Sequence, residues 1–199
     1  MVSEERRGIN ELAATAAELQ SLLNEHGWSF CFIEGLAVQA WSEPRYTKDV
    51  DLTLLTGFGG EEAFINVLLA RYAGRRSDAR EFALLHRVLL LQDARGLGID
   101  IGALPFEVEA VKRAAMVEAF PGVKLRFCTA EDLIVMKVFA SRDQDWNDVR
   151  MTIVRQGSEA LDWNYIRKHL VPLLELKEEP ELMQRLEDLR IRYERKWDV

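Results

Sequence analysis

Asp49 and Asp51 stand two positions apart in the run Pro44-Arg-Tyr-Thr-Lys-Asp-Val-Asp-Leu-Thr53, which reads as a strand. Side chains at i and i+2 of a strand share a face, so both carboxylates point the same way. Like charges that close repel unless a cation neutralises them, and a hard cation with oxygen ligands, Mg2+ above all, does so. A metal site is one reading of the pair. Two acids on a solvated strand edge is the other.

Two further segments carry related chemistry. Trp28-Ser-Phe-Cys-Phe-Ile-Glu34 has strand character and runs into the short helical pattern Gly35-Leu-Ala-Val-Gln-Ala-Trp41. Gly35 then sits at a strand-to-helix turn, where backbone N–H groups are free to hold phosphate. Downstream, His86-Arg-Val-Leu-Leu-Leu-Gln92 and Leu97-Gly-Ile-Asp-Ile-Gly102 flank Asp93-Ala-Arg-Gly96 and read as a β-hairpin. His86 opens its first strand and Asp100 lies in the middle of its apolar second strand. An unpaired buried carboxylate is costly, so Asp100 is expected beside Asp49 and Asp51, where a shared cation compensates it. The alternative is a strand-end acid facing water.

These residues need a scaffold, and the chain alternates helix and strand signals to build one. Ile9, Leu12, Ala16, Leu19 and Leu23 recur at helical spacing and predict an amphipathic first helix ending near His26-Gly27 and packing on a sheet. Strands are expected at about 28–34 and 48–55, with a loop at Gly57-Phe-Gly-Gly60 and a helix at about 61–73. After the hairpin, Pro105 and the run Val108 to Met116 predict a helix, and Val123 to Phe127 a strand. Thr129 is a plausible N-cap with Asp132 three residues on. The helix it opens turns Leu133, Ile134, Met136, Val138 and Phe139 inward. Lys137 lies among them and either snorkels to water or reaches a phosphate. A helix at about 143–156 carries Trp146, Val149 and Ile153 on one stripe and ends at Gly157. Asp145 and Asp148 could hold Lys137 or a substrate group, or serve that helix's dipole. From Asp162 onward the pattern is entirely helical, with Pro172 inside one helix and Pro180 starting another.

Taken together, the segments resemble the nucleotidyltransferase superfamily, in particular the bacterial branch with the AbiEii-type toxins of type IV toxin-antitoxin systems. The matching pieces are Ile33-Glu-Gly-Leu-Ala-Val-Gln39, Arg45-Tyr-Thr-Lys-Asp-Val-Asp-Leu52, Gly98-Ile-Asp-Ile101, Thr129-Ala-Glu-Asp-Leu-Ile-Val-Met-Lys137 and Arg142-Asp-Gln-Asp-Trp-Asn-Asp148. The resemblance implies an α+β fold, a mixed nucleotidyltransferase-like sheet flanked by helices, within one domain over 1–199: a core at about 28–157 and a helical C-terminal extension. It implies Mg2+ on Asp49, Asp51 and Asp100, with Lys137 completing the catalytic set. Gly35, Leu36, Lys48, Arg142, Asp145 and Asp148 are the implied nucleotide-binding set. The implied reaction moves a nucleoside monophosphate from a nucleoside triphosphate to a hydroxyl on a tRNA, a protein or a small molecule, in a toxin role with an antitoxin partner. Leu36 departs from the pattern, because such families carry Gly or Ser there. It marks an alternative, a nucleotidyltransferase-like protein that binds without turnover; a metal-dependent nuclease is a further reading of clustered acids.

Composition narrows these classes. The net charge of −7 argues against a broad, sequence-independent grip on nucleic acid. Arg71, Arg75, Arg76 and Arg80 form one candidate local patch. Arg185, Arg190, Arg192, Arg195 and Lys196 form another, but alternate with Glu187, Asp188 and Glu194 as a solvated, ion-paired helix does. Cys31 and Cys128 lie in apolar runs without metal-type spacing, which predicts buried free thiols. No apolar stretch suits a signal or a membrane span, so a cytoplasmic location is expected. His26, His86 and His169 are scattered and suggest neither a ligand cluster nor a hydrolase triad.

Overall fold

The structure, a computed structural model, describes residues 2–57, 59–102 and 107–194, with side chains from Gly8 onward. Phe58, Pro105, Arg195 and Lys196 of the expectations above lie outside the described residues. The chain divides into two compact units, Met1–Leu36 with Tyr46–Cys128, and Ala37–Arg45 with Thr129–Val199. The division differs from a core ending near 157, because the helices that follow Cys128 already pack with the C-terminal ones.

The first unit is built on a seven-stranded mixed sheet, ordered β3-β4-β5-β2-β1-β7-β6 among the described residues. Its strands are β1 (Phe30–Phe32), β2 (Asp49–Leu54), β3 (Ala73–Gly74), β4 (Val88–Gln92), β5 (Gly98–Gly102), β6 (Ala115–Phe120) and β7 (Val123–Phe127). β4 and β5 form the expected hairpin. Its loop is held by the Asp93 carboxylate, which accepts from the amides of Arg95 at 2.8 Å and Leu97 at 2.9 Å. β5 then runs parallel to β2, a pairing that only the long connection between them allows.

Helices α1 (Val2–Glu25), α3 (Glu61–Arg71), α4 (Ala79–His86) and α5 (Glu107–Arg113) belong to this unit. Leu12, Ala16, Leu19 and Leu23 are buried as their spacing requires. Gln20 fastens α1 to β7, donating to the Lys124 carbonyl at 2.9 Å and accepting from the Arg126 amide at 2.8 Å. Burying two amide groups in mutual satisfaction avoids the cost of leaving either unpaired.

Two local expectations are corrected. His86 ends α4 instead of opening a strand, and Arg87 leaves the helix at φ 57°. Residues Val108 to Met116 do not form one helix. α5 stops at Arg113, and Ala115–Phe120 pairs with β7 from Ala115↔Phe127 to Phe120↔Val123. Ladder hydrogen bonds to an existing strand outweigh a helical propensity differing by only tenths of a kcal/mol per residue, about 0.5.

The second unit is helical. It contains most of α2 (Glu34–Trp41), then α6 (Ala130–Ala140), α7 (Asp143–Gln156), α8 (Trp163–Lys177) and α9 (Glu181–Glu194). Thr129 caps α6 in a full capping box with Asp132. The Tyr165 hydroxyl of α8 donates to the other Asp132 oxygen at 2.6 Å, so one buried carboxylate ties a cap to a neighbouring helix. Leu133, Ile134, Val149, Ile153, Ile166, Leu170 and Leu186 make the core. Cys31 and Cys128 are buried, as expected. No helix among the described residues is long and apolar enough to cross a membrane.

Candidate active site

Asp49, Asp51 and Asp100 converge through strand register. β2 pairs with β5 as Asp49↔Gly98 and Asp51↔Asp100. Registered residues on neighbouring strands share a face, so all three carboxylates project from the same side of the sheet. Opposite Asp49 the partner is a glycine, and this matters. A Cβ at position 98 would collide with the Asp49 carboxylate and meet Arg75 Nη1 at 2.9 Å. The bare backbone of Gly98 is the floor on which the Asp49 side chain lies.

Arg75 supplies the cation here. Its Nη2 donates to Asp100 Oδ1, and its Nη1 lies 3.5 Å from Asp49 Oδ1. In sequence it looks like one member of a basic patch. Tertiary structure disperses that patch: Arg76 pairs with Asp78 at 2.8 Å, Arg80 with Glu62 at 3.3 Å, and Arg71 lies over the Tyr72 ring. Only Arg75 of the four faces the three acids.

The donor set suits a divalent cation in its chemistry. It consists of carboxylate oxygens, three negative charges against one guanidinium, which is what a hard cation selects. Among the described residues, no three acidic, His or Cys side chains are placed to share one ion. The acids therefore fit a metal in type and face, while Arg75 holds two of them in the arrangement seen.

The turn before α2 is shaped by a close approach. Gly35 is the second residue of α2, and Glu34 before it takes φ 50°. A Cβ on Gly35 would come 2.5 Å from Thr47 Oγ1, so no larger residue fits without displacing that threonine. Leu36 is fully buried and packs beneath the turn. The first amides of a helix have no acceptor within it, so amides at Gly35 and Leu36 suit an anion. Lys48, just before β2, is exposed.

The remaining expected residues meet in the second unit. Lys137 is 2% exposed, with its Nζ 3.1 Å from Asp145 Oδ1 and 3.6 Å from Asp148 Oδ2. Arg142 binds Asp145 through Nε at 2.6 Å and Nη2 at 3.1 Å. Arg45 grips Asp148 with a two-pronged contact, Nε at 2.8 Å and Nη2 at 2.7 Å. Burial raises the Asp145 carboxyl, but the Arg142 hydrogen bond, the Lys137 charge and hydrogen bond, and the Arg142 amide together hold it below the ordinary value. The question of which acid holds Lys137 resolves as both. Arg45, one residue of a motif in the sequence, turns out to be a structural clamp on Asp148. Near the C-terminus, Arg190 pairs with Glu187 and Glu194, as a solvated helix face does.

The mixed sheet flanked by helices thus carries three acids on two adjacent strands. Residues 104–198, just under half of the chain, match a family described as "Nucleotidyltransferase of unknown function" (DUF6036). That span holds Lys137, Arg142, Asp145 and Asp148 but not the three acids. No curated protein matches the sequence. Among solved structures, an antigenic nucleotidyltransferase-like protein from Paracoccidioides brasiliensis is similar at 16% identity and a TM-score of 0.52, covering 89% of this chain and 93% of that one. The antibiotic-resistance factor ANT(2'')-Ia is similar at 14% identity and a TM-score of 0.54, covering 89% of this chain and 98% of that one. A second structure of ANT(2'')-Ia, in complex with adenylyl-2''-tobramycin, gives 15% identity and a TM-score of 0.52, covering 84% and 99%. At these identities the likeness establishes the fold.

Proposed function

We propose that this protein is a nucleotidyltransferase that moves a nucleoside monophosphate from a nucleoside triphosphate to an acceptor hydroxyl. The observation that carries the reading is the register pairing of Asp51 with Asp100, which sets three carboxylates on one sheet face. Asp49, Asp51 and Asp100 would hold Mg2+, which when bound neutralises charge on the triphosphate and on the departing pyrophosphate. Asp100, partly exposed, accepts the proton of the acceptor hydroxyl. The hydroxyl oxygen bonds to the α-phosphorus as the bond from that phosphorus to the bridging oxygen breaks, and pyrophosphate leaves in line. Amides at Gly35 and Leu36 hold the outer phosphates. Lys48, exposed just before β2, is the cation proposed to serve the nucleotide, while Lys137 and Arg142 brace Asp145 within the second unit.

A tRNA end, a protein hydroxyl and a small molecule all present the group this chemistry needs. A small-molecule acceptor is proposed by analogy with ANT(2'')-Ia, whose structure holds adenylyl-2''-tobramycin. The motif resemblance supports a toxin whose partner is an antitoxin. Incubation with each α-labelled triphosphate, Mg2+ and either cell RNA, protein extract or an aminoglycoside panel separates the acceptors. Induced expression, with Asp51→Asn as control, tests the toxin role through growth arrest. Label entering none of these acceptors, or entering equally with Asp51→Asn, refutes transfer. Binding without turnover is the second reading, favoured by the engagement of Asp49 and Asp100 by Arg75; it predicts bound triphosphate and no pyrophosphate.

A further inference from the structure

Arg75 is brought to the three acids by the order of the strands and by no feature of its own neighbourhood. Gly74 pairs with Leu91, and the Arg75 amide donates to the Leu90 carbonyl at 3.0 Å. Leu90 pairs with Asp100, and Asp100 with Asp51. Arg75, just past the end of β3, thus heads a row that runs through Leu90, Asp100 and Asp51 on β4, β5 and β2. The backbone of Arg75 is fastened to the sheet. A Cβ on Gly74 would come 2.7 Å from the Ala79 Cβ, so the corner between β3 and α4 is closely packed as well. The side chain beyond that anchor reaches solvent: it is 30% exposed, and the carboxylates it touches are 42% exposed for Asp49 and 32% for Asp100.

Resting on the nucleotidyl-transfer reading, we propose that Arg75 is a substrate-positioning residue that passes from the acids to the triphosphate. A guanidinium presents a planar fork that matches carboxylate and phosphate oxygens alike. A divalent cation brings twice its charge to Asp49 and Asp100, and like charges at contact distance repel, so cation and guanidinium compete for the same oxygens. The triphosphate that accompanies the cation offers Arg75 a new set of anionic oxygens within reach of the same anchored arm. The residue then has two roles of opposite sign. It weakens the hold of the acids on a bare cation and strengthens the hold on the nucleotide.

Isothermal titration of the full chain separates these roles. Mn2+ alone is titrated first. The four α,β-methylene nucleoside triphosphates follow at saturating Mg2+, and the tightest is carried forward. Arg75→Ala is expected to bind Mn2+ about five-fold tighter, since a nearby positive charge is gone, and the analogue about ten-fold more weakly, since a charge-assisted phosphate contact is gone. Arg75→Lys should recover part of the analogue affinity. Should Arg75→Ala fail to fold by thermal melt, Arg75→Gln, which keeps a polar arm without charge, gives the same two readings. Wild-type binding of both ligands with Arg75→Ala unchanged in both, or shifted in the same direction in both, overturns this inference and leaves the transfer reading standing. A wild type that binds neither Mn2+ nor any analogue overturns both.

Discussion

Asp51 and Asp100 are register partners on parallel strands β2 and β5, although 48 positions separate them in the sequence as their numbers stand. Parallel pairing places the two carboxylates side by side without help from any turn, and Asp49 joins them one pleat away over Gly98. Three negative charges on one face destabilise the fold unless met by a cation, and Arg75 meets two of them.

Replacement of Asp51 or Asp100 by Asn should abolish transfer, by at least about a hundredfold, while leaving the fold intact. The Arg75 ion pairs are partly exposed and therefore contribute little, so the melting temperature should move by no more than about 3 °C. A thermal melt beside the labelled-triphosphate assay checks both halves. Collapse of either variant would make these acids structural.

Gly98→Ala inserts a methyl group where the Asp49 carboxylate and the Arg75 guanidinium lie. Asp49 must swing aside, and Mn2+ affinity in calorimetry should fall about ten-fold or more, with circular dichroism unchanged. Unaltered Mn2+ affinity would show that Asp49 does not serve the cation.

Leu36→Ser should cost about 3 kcal/mol, because a fully buried leucine is exchanged for a small polar side chain. If backbone amides hold the phosphates, the folded fraction keeps its triphosphate affinity. Urea unfolding and calorimetry at reduced temperature measure the two effects separately. Lost affinity in folded protein would place the phosphate site elsewhere.

The Asp145 cluster predicts an acid limit. Its folded carboxyl lies below the ordinary value. The stabilisation is therefore complete above the unfolded value, near 4, and disappears as pH falls through the lower folded one. Urea midpoints of wild type and Asp145→Asn should differ by a constant amount above about pH 5 and draw together as the pH falls through the depressed folded value. Lys137→Met, which strands two buried acids beside their arginines, should lose about 3 kcal/mol at neutral pH. A wild-type midpoint that stays flat down to pH 3, roughly the bottom of the carboxylate range, would contradict the cluster's role.

What the sequence by itself determined is whatever is encoded within a few residues. The Asp49/Asp51 alternation, the β4–β5 hairpin with its Asp93 turn, the Thr129 capping box and the end of α7 at Gly157 all rest on local spacing, and all appear as read. Tertiary structure alone decided the rest. Ala115–Phe120 became a strand because β7 offered it a ladder. Leu36 became core because α2 turns its side chain into the packed interior, where it is fully buried. Arg75, one of four arginines alike in sequence, was singled out by the strand order β3-β4-β5-β2. Side-chain periodicity tells which face a residue occupies on its own strand, whereas the neighbour across that face is set by pairing between distant segments, whose energy is spread over whole ladders and leaves no local signature.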